Sequence, residues 1–167
     1  NTILEISDRV SASESKQAIA AEIAEDMDPE TLYLLGPGTT VRAITNQLGL
    51  PKTLLGVDAV RSNRLVGEDV NEREILDLLD RFKQSKIVVT PIGGNGFVFG
   101  RGSKQFTPKV IRRVGREHIV VVGTQSKVGQ LDCLRVDTGD IELDETLSGH
   151  IEVIVGYRET MVMRVRC

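Results

Sequence analysis

The sequence predicts a three-layer α/β domain with a mainly parallel, open, Rossmann-like sheet and a C-terminal antiparallel hairpin. Short apolar runs rich in β-branched residues alternate with helical patterns along most of the 167 residues, as expected when helices cover both faces of a parallel sheet. Glycine-rich and polar segments come directly after these runs, where open α/β sheets bind ligands. The 40% apolar content suffices for one domain over residues 1–167.

The first part of the chain predicts a helix, a strand, a second helix and a second strand. Helix-forming residues at helical spacing predict a helix over residues 13–27. A continuous apolar run predicts a buried strand over 31–35, and the helix predicted over 41–48 ends at Gly49. Residues 53–57 predict another strand. Such a strand–helix–strand unit predicts that its two strands are parallel.

The middle of the chain carries the clearest local signals. Residues 62–64 predict a turn between two extended segments. Residues 71–84 predict an amphipathic helix, with Asn71 as its N-cap and Glu74 completing a capping box.

The last part of the chain predicts alternating strands and helices and then a hairpin. The predicted elements are a buried strand over 86–90, a helix over 107–114 with Thr107 as N-cap and Pro108 in its first turn, a strand over 118–123, a polar loop over 124–127, and hairpin strands over 151–155 and 161–165.

Composition limits the classes of function. The net charge is -3 and the charged residues, 27% of the chain, are interspersed, so no nucleic-acid partner is predicted. No apolar run approaches the roughly 18 residues that span a membrane, and no signal-peptide pattern opens the chain. We therefore expect a cytoplasmic protein without a membrane partner. Because the chain begins with Asn1 rather than Met, we expect a piece of a longer protein.

The only cysteines are Cys133 and Cys167. Two cysteines in a chain of this class predict free thiols in a reducing cytoplasm, with a disulfide or a metal site as the alternatives. No Cys/His cluster has the spacing of zinc ligands, so the sequence predicts no metal site.

The 36–40 turn follows the first predicted strand and is the first candidate site. Its glycines Gly36 and Gly38 let a backbone approach phosphate oxygens, while Thr39 and Thr40 add hydroxyl donors at the start of a helix. The alternative is an ordinary strand-to-helix turn with threonine as the N-cap. The turn lacks the lysine of a P-loop and the spacing of a dinucleotide fingerprint.

The 93–96 turn, with residues Gly93, Gly94, Asn95 and Gly96, follows the predicted strand 86–90. Three glycines in four residues indicate close approach of the backbone to a ligand or neighbour, since each costs chain entropy. Arg101 lies just beyond this turn. It either offers a bidentate guanidinium to phosphate or is a solvated or ion-paired arginine. We expect the two turns to face one phosphate-bearing ligand.

Three further residues are candidate ligand contacts because they lie near predicted strand ends. Asp58 and Lys127 each follow an apolar run. Asp137 opens the Asp-Thr-Gly-Asp segment, which either positions a metal or a ribose hydroxyl or is a plain turn. No Ser/His/Asp or Cys/His constellation can be assembled, so no catalytic residue is assigned.

Four segments together resemble the C-terminal half of ATP-NAD kinase-like proteins of the acetoin-catabolism protein X type. They are residues 35–40, 55–58, 90–102 and 134–140, and the most distinctive is 90–102. The resemblance runs from about Ser13 to Val165. It implies a nucleotide-binding domain of a cytoplasmic, oligomeric kinase that phosphorylates NAD to NADP, with ATP and NAD as substrates and Mg²⁺ as a candidate cofactor.

In that family the ATP-binding Gly-Gly-Asp-Gly element lies upstream, in an N-terminal domain. The 93–96 turn has Asn95 where the acid would stand, and an amide cannot replace a carboxylate on magnesium or as a base. We therefore expect the isolated domain to be inactive.

The chain is also similar, more weakly, to the ribose-5-phosphate isomerase and glucosamine-phosphate deaminase class, which places a phosphate loop after its first strand. Residues 36–40, 93–96 and 119–127 occur in the matching order. Phe97 to Arg101 supply no acid and Ile92 stands where the class has a lysine, so isomerase chemistry is not implied. The alternative function is a non-catalytic phosphometabolite-sensing or oligomerisation domain on this scaffold.

Overall fold

A computed structural model describes residues 2–167, with side chains from residue 11 onward, and Asn1 lies outside the described residues. The helices are α1 (Thr2–Asp26), α2 (Thr39–Leu48), α3 (Glu72–Arg81), α4 (Pro108–Val114), α5 (Gln125–Val128) and α6 (Ile141–Leu147), with a 3₁₀ turn over Arg116–His118. The strands are β1 (Leu32–Leu35), β2 (Asp58–Arg61), β3 (Arg64–Gly67), β4 (Ser85–Val89), β5 (Phe97–Phe99), β6 (Ile119–Val122), β7 (Arg135–Val136), β8 (Gly149–Gly156) and β9 (Glu159–Val165).

Seven strands form one sheet in the order β3-β2-β1-β4-β6-β8-β9. The central strands β1, β4, β6 and β8 are parallel. The β2–β3 hairpin continues one edge in antiparallel pairing, and β9 closes the other edge against β8. The predicted α/β class, with a mainly parallel sheet and a C-terminal antiparallel hairpin, is confirmed.

The predicted strand over 53–57 and its parallel crossover are wrong. The second strand begins at Asp58 and pairs antiparallel to β1, with Leu35 opposite Asp58. The backbone N–H of Thr53 donates instead to the Asp58 carboxylate, 2.9 Å away. A short apolar run does not by itself distinguish a buried strand from a covering loop, and here Leu54 and Leu55 are exposed.

Helix termini follow the local signals closely in two places. The capping box of Asn71 and Glu74 is present at α3. Thr107 caps α4 and Pro108 is its first residue. By contrast, α1 begins well before residue 13, and the segment predicted as a loop over 124–127 forms the N-cap and most of the short helix α5. No helix within residues 2–167 is long and apolar enough to cross a membrane.

The sheet has a separate core on each face. Alternate residues of a strand point to opposite faces, so Leu34 packs with α3 and α4, whereas Leu35 packs with α1 and α2. The chain therefore leaves β1 toward one face, through α2, and leaves the adjacent strand β4 toward the other face, through α4. This divergence opens a crevice at the C-terminal ends of β1 and β4.

The cysteines are paired, contrary to the predicted free thiols. Cys133 and Cys167 form a disulfide with Cα atoms 5.7 Å apart, within the range of disulfide-bonded residues. The pair joins the segment before β7 to the residues after β9. A contact across 34 residues of sequence depends on how β7 and β9 meet, which no local pattern of residues encodes.

A buried ion pair fixes the segment between α2 and β2. Lys52 Nζ lies 2.7 Å from Asp58 Oδ2, with both side chains almost completely buried. The Asp58 carboxylate also accepts hydrogen bonds from Thr53 and from the Asp69 N–H. Burial alone would raise the pKa of Asp58, but Lys52 and these donors hold that pKa below its ordinary value.

We expect Asp58→Asn to lower the free energy of unfolding by about 3–5 kcal/mol, because it leaves the Lys52 ammonium buried and unpaired. Asp80→Asn is the matched control, since it removes an exposed carboxylate from Arg113 and should cost less than about 1 kcal/mol. Urea denaturation at neutral pH measures both. The pKa of Asp58 is lowered in the folded protein, so the pair stabilises the fold fully at pH values above the ordinary pKa of the carboxyl, about 3.9. This stabilisation is lost as the pH falls through the lowered pKa. Equal losses of unfolding free energy in Asp58→Asn and Asp80→Asn would contradict the role of the pair.

Candidate functional site

The crevice between β1 and β4 is formed by the segments that follow these two strands. The 36–40 turn leaves β1, and its Gly36 N–H donates to the Val88 carbonyl at 2.9 Å. A Cβ on Gly36 would lie 3.2 Å from the Phe106 ring and 3.3 Å from Val89. The absence of a side chain at residue 36 therefore lets the two segments approach each other.

The N-terminus of α2 points into this region without a side-chain cap. Its N-cap is Gly38, which has φ +118° and no side chain to accept a hydrogen bond. The first N–H groups of an α-helix have no intrahelical partner, and no acidic residue stands in the first turn of α2. The threonine cap offered as the alternative is absent, because Thr39 and Thr40 are already helical. The helix start remains electropositive.

Two lysines reinforce this positive end. Lys16 of α1 donates to Thr39 Oγ1 at 2.9 Å, and Lys127 of α5 donates to the Pro91 carbonyl at 2.8 Å. Burial and the nearby Lys16 charge lower the pKa of Lys127. No carboxylate among residues 11–167 forms an ion pair with either lysine. The helix terminus and the two lysines together form a positively charged cluster, which we call the cradle (residues 16, 38–40 and 127).

An apolar cavity of about 210 Å³ lies beside the cradle, on the α3 and α4 side of the sheet. Pro37 lines it, so the 36–40 turn connects the cavity to the cradle. The other apolar groups come from strand ends and from the chain after β4, and include Val57, Val89, Ile92, Val98, Phe99 and Phe106. Phe99 and Phe106 meet edge to face, with ring centroids 5.8 Å apart. Ser103 and Gln105 give the lining a small polar part.

The 93–96 turn is a tight reversal between Ile92 and β5. The Ile92 N–H donates to the Phe97 carbonyl at 3.1 Å, which closes the reversal. Gly93 and Gly94 face open space, and Asn95 is exposed. Ile92 and Val98, on either side of this turn, line the cavity, so the turn stands at its rim.

The remaining predicted contacts have partners within the protein. Arg101 donates to Asp137 Oδ1 through Nε and Nη2, at 3.2 and 3.1 Å, on the surface. Asp58 lies in the buried pair with Lys52. Of the three additional candidate contacts, Asp58, Lys127 and Asp137, Lys127 is thus the one that the structure brings to the cradle.

Lys16 was missed by the sequence interpretation. It lies 23 residues before Thr39, on a helix that carries no motif, so only the packing of α1 on α2 brings it to the turn. Among the described residues no three His, Cys, Asp or Glu side chains gather as metal ligands would.

Comparison with known proteins identifies the family. A family model described as the ATP-NAD kinase C-terminal domain matches residues 28–165. The chain belongs to this family. Searches of curated proteins and of solved structures returned no match. The matched region of this NAD kinase C-terminal domain contains the 36–40 turn, the cavity and Lys127, whereas Lys16 lies before it.

Gly38→Ala should lower the free energy of unfolding by about 1–3 kcal/mol, because it strains a left-handed backbone. The added Cβ would also lie 2.6 Å from the Thr90 methyl group. Gly94→Ala is the matched control, since a Cβ there meets open space and should change stability by less than about 0.5 kcal/mol. Thermal and urea unfolding measure both variants, and a Gly38→Ala protein as stable as the control would show that the turn is not constrained as described.

Proposed function

We propose that this NAD kinase C-terminal domain binds a nucleotide or another phosphorylated metabolite in the β1–β4 crevice. We further propose that it is part of a longer, cytoplasmic, oligomeric protein of the acetoin-catabolism type that phosphorylates NAD to NADP with ATP, using Mg²⁺. The family match supports the kinase assignment. The positive charge of the cradle is the observation that carries the assignment of phosphate binding.

Electrostatics favour an anion in the cradle. Two ammonium groups, Lys16 and Lys127, stand close enough for one to lower the pKa of the other. A phosphate between them would offset this repulsion and accept hydrogen bonds from the N–H groups at the start of α2. The adjoining apolar cavity suits the less polar part of such a ligand.

The described part of the crevice supplies binding groups and no acid. Among the side chains of residues 11–167, no Asp or Glu lines the cavity, and Asn95 at its rim is an amide. Phosphoryl transfer needs metal ions and a residue that orients or deprotonates the nucleophile. We therefore assign these groups to another part of the parent protein. The same observation favours the second candidate, a non-catalytic domain that senses a phosphorylated metabolite.

Binding to the 167-residue chain tests the cradle. Calorimetric titration with ADP, NAD and pyrophosphate should show binding that Lys16→Met and Lys127→Met each weaken about ten-fold, the loss expected for one charged hydrogen bond. Lys109→Met removes the same charge from an exposed position of α4 and should leave binding unchanged. Affinity should also fall as the pH rises through the lowered pKa of Lys127. If all three probes fail to bind, or the control weakens binding equally, the site is wrong.

Activity of the longer parent protein separates the two candidate functions. NAD kinase activity that Gly94→Val abolishes, while Gly94→Ala keeps the fold, would support the kinase and exclude the sensor. A parent protein that binds nucleotide without forming NADP would support the sensor. The measurement is NADP formation from NAD and ATP in the presence of Mg²⁺.

A further inference from the structure

The disulfide lies directly behind the 93–96 turn. Cys133 is only 4% exposed, whereas Cys167 lies on the surface. The Cys133 carbonyl oxygen would be 2.8 Å from a Cβ at Gly96, so Gly96 packs directly against the residue that bears the buried sulfur.

The residues after Cys133 hold strand β5 (Phe97–Phe99) in place. This strand lines one side of the cavity through Val98 and Phe99 and is called the β5 wall. The Arg135 N–H donates to the Gly96 carbonyl at 2.8 Å, and β7 pairs with β5 through Phe97 and Phe99. The two strands form a sheet of their own, so β7 is the only strand that pairs with β5 in the described sheets. Phe99 of β5 lines the cavity. The position of the wall therefore depends on the position of β7.

The same residues are attached to the end of the main sheet. The Leu134 N–H donates to the Arg164 carbonyl, and the Arg166 N–H donates to the Leu134 carbonyl, both at 2.8 Å. The disulfide adds a covalent link at this junction. It thereby connects β9 to β7, β7 to β5, and β5 to the cavity.

We propose that Cys133 and Cys167 are a reversible thiol–disulfide site that controls the order of the β5 wall and, through it, ligand affinity. The disulfide is expected to open by exchange with a small thiol such as glutathione. Control of ligand affinity rests on the function proposed above, whereas control of the β5 wall does not.

The thiol–disulfide exchange with glutathione takes two steps. A glutathione thiolate attacks the sulfur of Cys167, the exposed residue of the pair, and forms a mixed disulfide, while Cys133 leaves as a thiolate and takes a proton from water. A second glutathione thiolate then attacks the glutathione sulfur of that mixed disulfide. Oxidised glutathione leaves, and Cys167 becomes a protonated thiol. Two electrons pass from two glutathione molecules to the protein disulfide, and oxidised glutathione reverses the reaction.

The loss of the link should loosen β7 and β5 more than the parallel centre of the sheet. The closed chain segment spans 34 residues, and its release should lower Tm by about 10 °C in a domain of this size. Backbone amides of Phe97 and Phe99 should exchange faster in the reduced protein, since they report local opening of the wall. Those of β1 and β4 should change less.

The test compares the 167-residue chain in reduced and in oxidised glutathione buffers. Thiol titration counts free cysteines, hydrogen exchange follows residues 97–99 against β1 and β4, and calorimetry measures the Kd for ADP. We expect two thiols, faster exchange over 97–99 and a Kd raised about five-fold or more in the reduced form. Cys167→Ser should resemble the reduced wild type in both buffers. Because Cys167 is exposed, this variant should fold even if Cys133→Ser does not.

Several outcomes would overturn the proposal. Two free thiols in oxidised glutathione would show that the link does not form. A disulfide that opens without changing exchange over 97–99 relative to β1 would show that it does not control the wall. Altered exchange with an unchanged Kd would overturn control of affinity. If ADP binds in neither form, the proposed function fails with ADP as its ligand, and the exchange data still decide the effect on the wall.

Discussion

The parallel pairing of β1 with β4 determines where this domain has its crevice. The two strands are adjacent, yet the chain leaves them toward opposite faces, because α2 packs with α1 and α4 packs with α3. No helix can then cover the C-terminal ends of both strands, and a crevice remains between them. The other elements are arranged around this gap. The Lys52–Asp58 pair holds the segment beside it, and the β5–β7 pair forms its outer wall.

The crevice has two chemically different sides, and each follows from the face of the sheet on which it lies. On the α1 and α2 side, the start of α2 has no side-chain cap and lies beside Lys16, whose charge is near that of Lys127. On the α3 and α4 side, the apolar residues that fill the core continue outward and leave a cavity beside Phe99 and Phe106. One ligand with a charged end and a less polar end would match this division. The match follows from topology, since one short turn, the 36–40 turn, joins the two sides.

Local features were predicted well from the sequence, and contacts distant in the sequence were not. The capping box at Asn71 and the proline at the start of α4 are encoded within four residues, so the sequence shows them directly. The 36–40 turn was located for the same reason. The antiparallel β2 could not be foreseen, because it pairs with β1 across the whole of α2, with Leu35 opposite Asp58. Lys16 and the Cys133–Cys167 pair depend on how whole elements pack, which spacing along the chain does not reveal.

The family match and the geometry assign different parts of the site to different parts of the chain. The match covers residues 28–165 and contains the turn, the cavity and Lys127. Helix α1 lies before it, yet α1 supplies Lys16 and, through Ile19 and Ile23, part of the core beneath α2. Without that packing, α2 would lose a large apolar contact and its N-terminus would lose one of its two neighbouring charges. The crevice thus lies within the matched region, whereas the helix before that region adds the positive charge of Lys16 beside it.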